Sequence, residues 1–231
     1  MGGGRFNSIE STALYASLGG GYYNEVTGYA STLPGGYKCA VDGAYAAVGG
    51  GYVNLATGWY SCIAGGRGNS ATGSQATVSG GYNNKAGPYA YVGGGLQNSA
   101  LSTGAVIGGG SSNDATANYA VIAGGQHSDA AGYASAIGGG YSNSATSTYA
   151  TISGGSLNRA SAVWTFVGGG YSNEASGATS AVLSGRFNGA SGFSATVGGG
   201  ESNTVTGNHS WAVGFKNKAA ARSVRMLLFC C

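Results

Sequence analysis

Apolar residues recur along this chain with a period of fifteen residues, and each period contains two short alternating segments. Residues 138–152 show the repeat most clearly: Gly-Gly-Gly-Tyr-Ser-Asn-Ser-Ala-Thr-Ser-Thr-Tyr-Ala-Thr-Ile. We number the positions of each repeat from its Asn, here Asn143. Position +2 is small and apolar, position +7 is Ala, Ser or Thr in the regular repeats, and position +9 is almost always Val or Ile. A repeat this short and regular predicts a solenoid or an array.

The Asn itself recurs throughout the chain, and we call its place the anchor position. Fifteen anchor positions run from residue 7 to residue 217, with one step of 17 residues, two steps of 14 and otherwise steps of fifteen. Cys39 and Ser128 occupy the two anchor positions that lack Asn. The anchor asparagines are Asn7, Asn24, Asn54, Asn69, Asn84, Asn98, Asn113, Asn143, Asn158, Asn173, Asn188, Asn203 and Asn217.

Within each half of the repeat the apolar pattern has a period of two, which is typical of β-strands. The anchor and position +2 share one predicted strand, and positions +7 and +9 share the other. A Gly-Gly pair before the anchor separates the strands, as does position +4, which is Gly in eight repeats. Because Gly adopts a left-handed backbone most easily, we expect a left-handed residue at +4. The predicted fold is an all-β parallel β-solenoid of about fifteen coils, with two short strands per coil.

In such a stack each anchor Asn lies over the next one. We expect each amide to hydrogen-bond the following amide, as side-chain ladders do in stacked β-structure. We therefore interpret the anchors as structural and not as catalytic or ligand-binding residues. The predicted structural ladder comprises Asn54, Asn69, Asn84, Asn98, Asn113, Asn143, Asn158, Asn173, Asn188 and Asn203.

Charged residues avoid one half of the repeat. Of seventeen charged residues, fifteen lie between positions −2 and +3, and the other two, Arg222 and Arg225, follow the repeats. Between residues 11 and 213 the second strand carries no charge, and its outward positions +6 and +8 often carry large apolar side chains. The surface area of an uncharged stripe of this length exceeds the area of the apolar patches that monomeric proteins usually leave exposed. We therefore expect a homo-oligomer of parallel chains packed through positions +6 to +9. The predicted interface comprises Tyr45, Tyr60, Val106, Tyr119, Val121, Tyr149, Trp164, Phe166 and Trp211.

Composition excludes several other classes of protein. The chain has 48 Gly and only two Pro without a Gly-X-Y period, so it is not collagen. Sixteen Tyr and 7% charged residues do not fit a disordered chain. A net charge of +3 is too small to indicate a nucleic-acid partner. The sequence shows no signal peptide and no apolar run long enough to span a membrane, so we expect no membrane insertion by this segment.

Tyrosine recurs at position −2, just after the glycine turn. A row of exposed aromatic side chains can bind sugars or protein surfaces, because Tyr offers contact area at low entropic cost. The same row can equally pack coil on coil or across an oligomer, and both interpretations stay open. The candidate ligand-binding residues are Tyr22, Tyr37, Tyr52, Tyr82, Tyr141 and Tyr171.

The sequence does not indicate an enzyme. Only His127 and His209 offer a base at neutral pH, and they lie more than five repeats apart. Asp114 and Asp129 occupy position +1 of adjacent repeats, but we expect both to be solvated and find no third ligand for a metal ion. The glycine triplets lack the following helix and Lys-Ser/Thr of a phosphate loop. We therefore expect no cofactor, no metal and no catalytic residue.

The four cysteines do not form a disulfide framework. Cys39 replaces an anchor, whereas Cys62 falls on the second strand of the next repeat, so we do not expect a bridge between them. Cys230 and Cys231 end the chain after the repeats. We expect a repeat domain over residues 1–221 and an irregular tail over residues 222–231.

The last repeat carries a family resemblance. Residues 210–219, Ser-Trp-Ala-Val-Gly-Phe-Lys-Asn-Lys-Ala, resemble the Ser-x-Ala-Ile-Gly-x-x-Ser/Asn-x-Ala motif in the head of trimeric autotransporter adhesins, the YadA-like head. Similar repeats occur in bacterial and phage fibre proteins. The resemblance implies a left-handed parallel β-roll and a homotrimer. The usual repeat of that family has fourteen residues, and we find no neck, coiled-coil stalk or membrane anchor here.

The expected function is therefore a structural or adhesive head or shaft module of a trimeric extracellular fibre, either a surface adhesin or a tail fibre. Such a module would display a repetitive surface to a host protein or glycan. We expect an extracellular or cell-surface location, with any export signal on a part outside this chain.

An ice-binding solenoid is the alternative function. It is favoured by a Ser/Thr column at +3 and disfavoured by charged or irregular residues at +1, and a thermal-hysteresis assay would decide it. The column comprises Thr27, Thr57, Thr72, Thr116, Thr146, Ser161, Ser176, Ser191 and Thr206.

Overall fold

A computed structural model describes residues 3–227 of the chain. The chain divides into two compact units, Met1–Asn113 and Asp114–Cys231. The division falls inside the stretch 1–221 that the sequence predicts as one repeat domain. Each unit is described by itself below.

The first unit consists of two parallel β-sheets, and successive strands alternate between them. Each coil thus contributes one two-residue strand to each sheet. The first sheet contains β1 (Ser8–Ile9), β3 (Glu25–Val26), β5 (Ala40–Val41), β7 (Leu55–Ala56), β9 (Ser70–Ala71), β11 (Lys85–Ala86) and β13 (Ser99–Ala100). The second sheet contains β2 (Ser17–Leu18), β4 (Thr32–Leu33), β6 (Ala47–Val48), β8 (Cys62–Ile63), β10 (Thr77–Val78), β12 (Tyr91–Val92) and β14 (Val106–Ile107).

The second unit has the same architecture. Its first sheet contains β15 (Asp114–Ala115), β17 (Asp129–Ala130), β19 (Ser144–Ala145), β21 (Arg159–Ala160), β23 (Glu174–Ala175), β25 (Gly189–Ala190), β27 (Thr204–Val205) and β29 (Lys218–Ala219). Its second sheet contains β16 (Val121–Ile122), β18 (Ala136–Ile137), β20 (Thr151–Ile152), β22 (Phe166–Val167), β24 (Ala181–Val182), β26 (Thr196–Glu201), β28 (Trp211–Phe215) and β30 (Arg225–Leu227).

The predicted all-β parallel β-solenoid with two short strands per coil is confirmed. Residues 3–227 contain no helix. Within that described part of the chain, no helix is therefore long and apolar enough to cross a membrane.

The core has the periodicity that the sequence predicts. In the repeat at residues 138–152, the side chains of Asn143, Ala145, Ala150 and Ile152 are all 0% exposed. Between them, Ser144 and Thr151 point outward and are half-buried. Most coils bury one aliphatic residue and a few small ones, although one coil buries both Val26 and Leu33, so the interior is thin.

Pairing between coils keeps equivalent positions in register. Ser144 pairs with Arg159, one full repeat further along the chain. The shorter 14-residue step is absorbed outside the strands, since Lys85 still pairs with Ser99. Side chains at one repeat position therefore stack into columns within each unit.

The prediction of a left-handed backbone at position +4 is wrong. Gly58, for example, has no positive φ. The Cα atom of Gly58 lies so close to the next coil that an added Cβ would overlap the carbonyl oxygen of Gly73. Glycine is thus favoured at +4 by the close approach of two coils and not by a left-handed turn.

Positive φ occurs instead at −3, where the residue is Gly, and at −1 and +6, where most residues carry side chains larger than hydrogen. At +6, Tyr149 and Trp164 have φ of 57° and 60°. At −1, Phe187 has φ of 56°. Such values are uncommon for bulky residues, so the path between the strands imposes them.

The described part of the predicted irregular tail includes a strand. Arg225–Leu227 form β30, which pairs with β28 and continues the second sheet. Cys230 and Cys231 lie outside the described residues.

Candidate functional site

The anchor asparagines form a buried column in which a typical side chain, such as that of Asn158, bonds to the backbone of its own coil and of the next coil. The Oδ1 atom of Asn143 accepts a hydrogen bond from the backbone N–H of Asn158 at 3.0 Å. The Nδ2 group of Asn158 donates to the carbonyls of Gly154 at 2.9 Å and Gly170 at 3.0 Å. These bonds run from side chain to backbone, which differs from the amide-to-amide ladder that we expected. An amide-to-amide bond does occur at some coils, as from Asn203 to Asn188 at 3.0 Å.

At one anchor a thiol replaces the amide. Cys39 is buried, and its Sγ lies 3.5 Å from the carbonyl oxygen of Gly51. It cannot offer the amide oxygen that accepts the next anchor's N–H in regular coils. Cys39 and the exposed Cys62 are both free thiols.

We call the side chains at position −2 the tyrosine column. In the first unit they stack along the coils, with ring centroids of Tyr22 and Tyr37 5.4 Å apart and those of Tyr37 and Tyr52 4.9 Å apart. The planes of Tyr37 and Tyr52 differ by only 1°. Arg67 then takes the next place, and its guanidinium lies between the rings of Tyr52 and Tyr82. The faces of the inner rings are therefore covered within the chain.

In the second unit the tyrosine column is interrupted. Tyr141, Ser156 and Tyr171 occupy successive coils and are joined by parallel backbone bridges. Tyr141 and Tyr171 are 48% and 45% exposed. Within each unit the candidate tyrosines thus share a column, and the two in the second unit flank a serine instead of another ring.

We call the outward side chains at +6 and +8 the uncharged flank. Of the predicted interface residues in the first unit, Tyr45 and Tyr60 are exposed and stack at 4.8 Å, and Val106 is half-buried. In the second unit Tyr149 and Trp164 stack at 4.2 Å. Tyr119, Val121 and Phe166 are exposed there as well, and Trp211 is half-buried. All nine side chains therefore reach the surface of the single chain.

Aromatic residues at position +5, beside this flank, were not named in the sequence analysis. Tyr133 at position +5 makes edge-to-face contacts with Tyr119 at 5.7 Å and Tyr149 at 5.8 Å. Tyr29, also at +5, contacts Tyr45 at 5.5 Å. Both precede an alanine at +6, and the ring at +5 fills the gap that this alanine leaves. The Tyr-Ala pair at +5 and +6 was the signal available in the sequence.

Charged side chains on the opposite flank pair between adjacent coils. Arg186 Nη2 lies 2.8 Å from Glu201 Oε2, and Arg159 Nε lies 3.8 Å from Glu174 Oε1. Both pairs are exposed, so each contributes little to stability.

Asp114 and Asp129 pair in register, as their shared position +1 predicts. The expectation that both are solvated is wrong for Asp129, which is half-buried. Burial, and then the negative charge of Asp114, raise the pKa of Asp129 above its ordinary value of 3.8. Among the described residues, no group of three or more His, Cys, Asp or Glu is placed to hold a metal ion.

The two histidines make ring contacts in separate parts of the second unit. His127 lies edge-on to Tyr141 at 5.9 Å, and His209 lies edge-on to Phe193 at 5.3 Å. His209 also lines an open cleft of about 460 Å³ on the uncharged flank, together with Ser194, Thr196, Ser210, Trp211 and Arg225.

The Ser/Thr column at +3 is interrupted in the first unit. Asp42 occupies that position, and it accepts a hydrogen bond from Thr27 Oγ1 at 3.0 Å. A carboxylate thus stands within the row of hydroxyls that an ice-binding array requires.

These features define the class of the protein: a repeat protein of the parallel β-solenoid type, with a stacked aromatic column at one corner and an uncharged flank on the second sheet. Comparisons with protein-family models and with curated proteins find no match to this chain.

Proposed function

We propose that the chain is a structural and adhesive module, a head or shaft of a homotrimeric extracellular fibre of the YadA-like type. In this proposal parallel chains pack through the uncharged flank, and the charged flank with its tyrosine column faces water. The fibre belongs to a cell-surface adhesin or a tail fibre. Its function is to display a repetitive binding surface. Repetition along the chain and the avidity of three chains multiply weak contacts to a surface protein or glycan.

The observation that carries the proposal is the uneven distribution of charge: the second-sheet strands from β2 to β24 contain no charged residue, whereas β26 ends at Glu201 and β30 contains Arg225. On strands of the second sheet the rings of Tyr91 and Phe166 are exposed, and the turns before such strands add the exposed rings of Tyr60 and Trp164. Outward positions of the first sheet carry Glu25, Lys85, Arg159 and Glu174. A contiguous apolar face of this kind is typical of an interface between protein chains.

The thin interior gives a second, energetic argument. Many coils bury one Val or Ile together with small residues. Small cores rarely offset the conformational entropy that folding removes, so solenoids and short scaffolds commonly gain stability by association. Covering the uncharged flank with sister chains would add apolar burial in every coil.

Two matched variants test the proposal. Ser70 and Thr77 both point outward and are half-buried on the same coil, Ser70 on the first sheet and Thr77 on the second. Light scattering of the parent at micromolar concentration should give three times the 22.5 kDa chain mass. Thr77→Glu should dissociate the trimer, because it buries an unpaired carboxylate at the interface. Ser70→Glu should leave the mass unchanged.

A folded, monodisperse monomer of the parent would contradict the trimer. So would a Thr77→Glu variant that keeps the full trimer mass. Circular dichroism of each variant shows whether the β-structure is retained, which separates dissociation from unfolding.

A further inference from the structure

In the tyrosine column, an arginine side chain fits between two tyrosine rings that lie two coils apart. In the first unit Tyr52 and Tyr82 stand at this separation, and the Arg67 side chain lies between them. Its guanidinium carbon is 4.9 Å from the ring centroid of Tyr52 and 5.4 Å from that of Tyr82. The fold therefore places two tyrosines so that one guanidinium contacts both rings.

The second unit repeats this arrangement without the arginine. Tyr141 and Tyr171 are bridged through the coil of Ser156, so their backbones stand two strand spacings apart, about 9.6 Å. Ser156 supplies only a hydroxymethyl group at the place that Arg67 fills in the first unit. At position −2 this coil thus offers no side chain of the length of Arg67 between the two tyrosines.

Both rings are supported from their outer sides. His127, from the coil before Tyr141, packs edge-on to that ring at 5.9 Å. Phe187, from the coil after Tyr171, packs edge-on to it at 5.4 Å. With these contacts in place, Tyr141 and Tyr171 are still 48% and 45% exposed.

Positive charges near this place are paired with carboxylates, since Arg186, which follows Tyr171 in the same column, lies 2.8 Å from Glu201. Arg159 lies on the coil of Ser156, and Glu174 lies on the coil of Tyr171. The two side chains pair at 3.8 Å, so the positive charge of Arg159 is offset by a carboxylate.

We propose that Tyr141, Ser156 and Tyr171 form a slot that binds a guanidinium group, namely an arginine side chain of a partner protein. Guanidinium is planar and weakly hydrated and stacks on aromatic faces, and each tyrosine adds a cation–π contact. The inference goes beyond the proposed function. It does not rest on the trimer, because every residue of the slot belongs to one chain.

The experiment uses the full chain and N-acetyl-arginine N-methylamide as the probe. Saturation-transfer NMR should show contact at the δ-methylene of the probe. The neutral isostere N-acetyl-citrulline N-methylamide should give a weaker signal, because it lacks the charge. Ser156→Arg should lower the arginine signal, since the new side chain fills the slot as Arg67 fills its own. Ser156→Ala should keep the signal.

A second variant makes the opposite change in the first unit, where it removes the arginine between two tyrosines. Arg67→Ser empties the place between Tyr52 and Tyr82, so it should raise the signal above that of the parent. Tyr141→Ser should lower it while the circular dichroism spectrum stays unchanged. The proposal is overturned if folded Ser156→Arg keeps the parent signal, if folded Arg67→Ser shows no gain, or if the citrulline probe binds as well as the arginine probe.

Discussion

The side-chain oxygen of Asn143 accepts a hydrogen bond from the backbone N–H of Asn158, 3.0 Å away and one coil further along the chain. Asn158 in turn accepts from the N–H of Asn173 at the same distance, 3.0 Å. Each bond forms only when two coils are in register, because the acceptor belongs to one coil and the donor to the next. The column therefore fixes the register of a stack whose strands are mostly two residues long.

Asn158→Ala should destabilise the protein strongly. It removes the acceptor of Asn173 and the donor that serves the carbonyls of Gly154 and Gly170. Each buried group left without a partner costs about 1–3 kcal/mol, so we expect a loss of about 3 kcal/mol or more in the free energy of unfolding. Denaturant unfolding followed by circular dichroism measures it.

Asn118→Ala is the matched control, because Asn118 is an exposed asparagine away from the anchor column. Its effect should stay within about 0.5 kcal/mol. Equal losses in the two variants would show that the column has no special role in stability.

The strands and the core could be predicted because burial alternates along each strand and leaves its period in the sequence. The buried set Asn143, Ala145, Ala150 and Ile152 follows directly from that period. The direction of the hydrogen bonds could not be predicted. An amide can bond to a neighbouring amide or to a backbone group, and the distance between coils decides which.

The turns were harder to predict, because residue preference and neighbouring coils compete there. Gly58 suggested a left-handed turn, yet its role is to let the coil of Gly73 approach. The left-handed residue is Tyr60, with φ of 56°, for which propensity gives no hint. Contacts between coils override local preference at both positions.

The sequence predicts the position of the candidate tyrosines but not their surroundings. The period places the −2 tyrosines of each unit in a column, but their surroundings depend on the residue between them. Arg67 closes the space beside Tyr52, whereas Ser156 offers no side chain of that length beside Tyr141. That difference emerges only when the two columns are compared in three dimensions.

Cys39→Asn should stabilise the protein, since it restores an amide at an anchor position. The new side chain can accept the N–H of Asn54 and donate to the carbonyl of Gly51, which now faces the Cys39 sulfur at 3.5 Å. A net gain on the order of 1 kcal/mol is expected in the free energy of unfolding. Chemical denaturation under reducing conditions gives the value.

The exposed Cys62 supplies the control for the loss of a thiol. Cys62→Ser should change stability little, because the side chain is outside the core. The account of Cys39 fails if Cys39→Asn is less stable than the parent.

Ser135→Ala should also stabilise the protein. Ser135 Oγ is buried and has no hydrogen-bond partner among the described residues. The equivalent position +7 is alanine in the coils before and after it, Ala120 and Ala150. Removing a buried hydroxyl that lacks a partner should raise the free energy of unfolding by about 1 kcal/mol.

Ser31→Ala makes the same change at a hydroxyl that donates to the carbonyl of Gly28 at 2.7 Å. It should lower stability, so the two variants should shift the denaturant midpoint in opposite directions. Shifts of the same sign would contradict the role given to the hydrogen bond.

Gly177→Ala tests the close approach of coils at position +4. The added Cβ would overlap the carbonyl oxygen of Gly192, and relieving such overpacking costs about 1–3 kcal/mol. Gly189→Ala is the control, because nothing lies within 4 Å of the Cβ that it adds. That variant should be neutral or slightly more stable, since Ala reduces the entropy of the unfolded chain. Thermal melting of both variants separates the two effects, and equal melting temperatures would refute the steric explanation.

Asp129→Asn should stabilise the protein at neutral pH and not in acid. Burial, and then Asp114, raise the pKa of Asp129, so the folded chain holds this proton more tightly than the unfolded chain does. The contribution of Asp129 to stability therefore falls as pH rises from about 3.8 through the raised pKa, and above it the charged carboxylate is destabilising. The advantage of Asp129→Asn should be largest at pH 7 and should vanish at about pH 3, where both states are protonated. Denaturant midpoints at the two pH values measure it.

Asp42→Asn, which removes a carboxylate bonded to Thr27 at 3.0 Å, should give no gain at pH 7. If Asp129→Asn is no more stable than the parent at pH 7, burial of that carboxylate carries no cost.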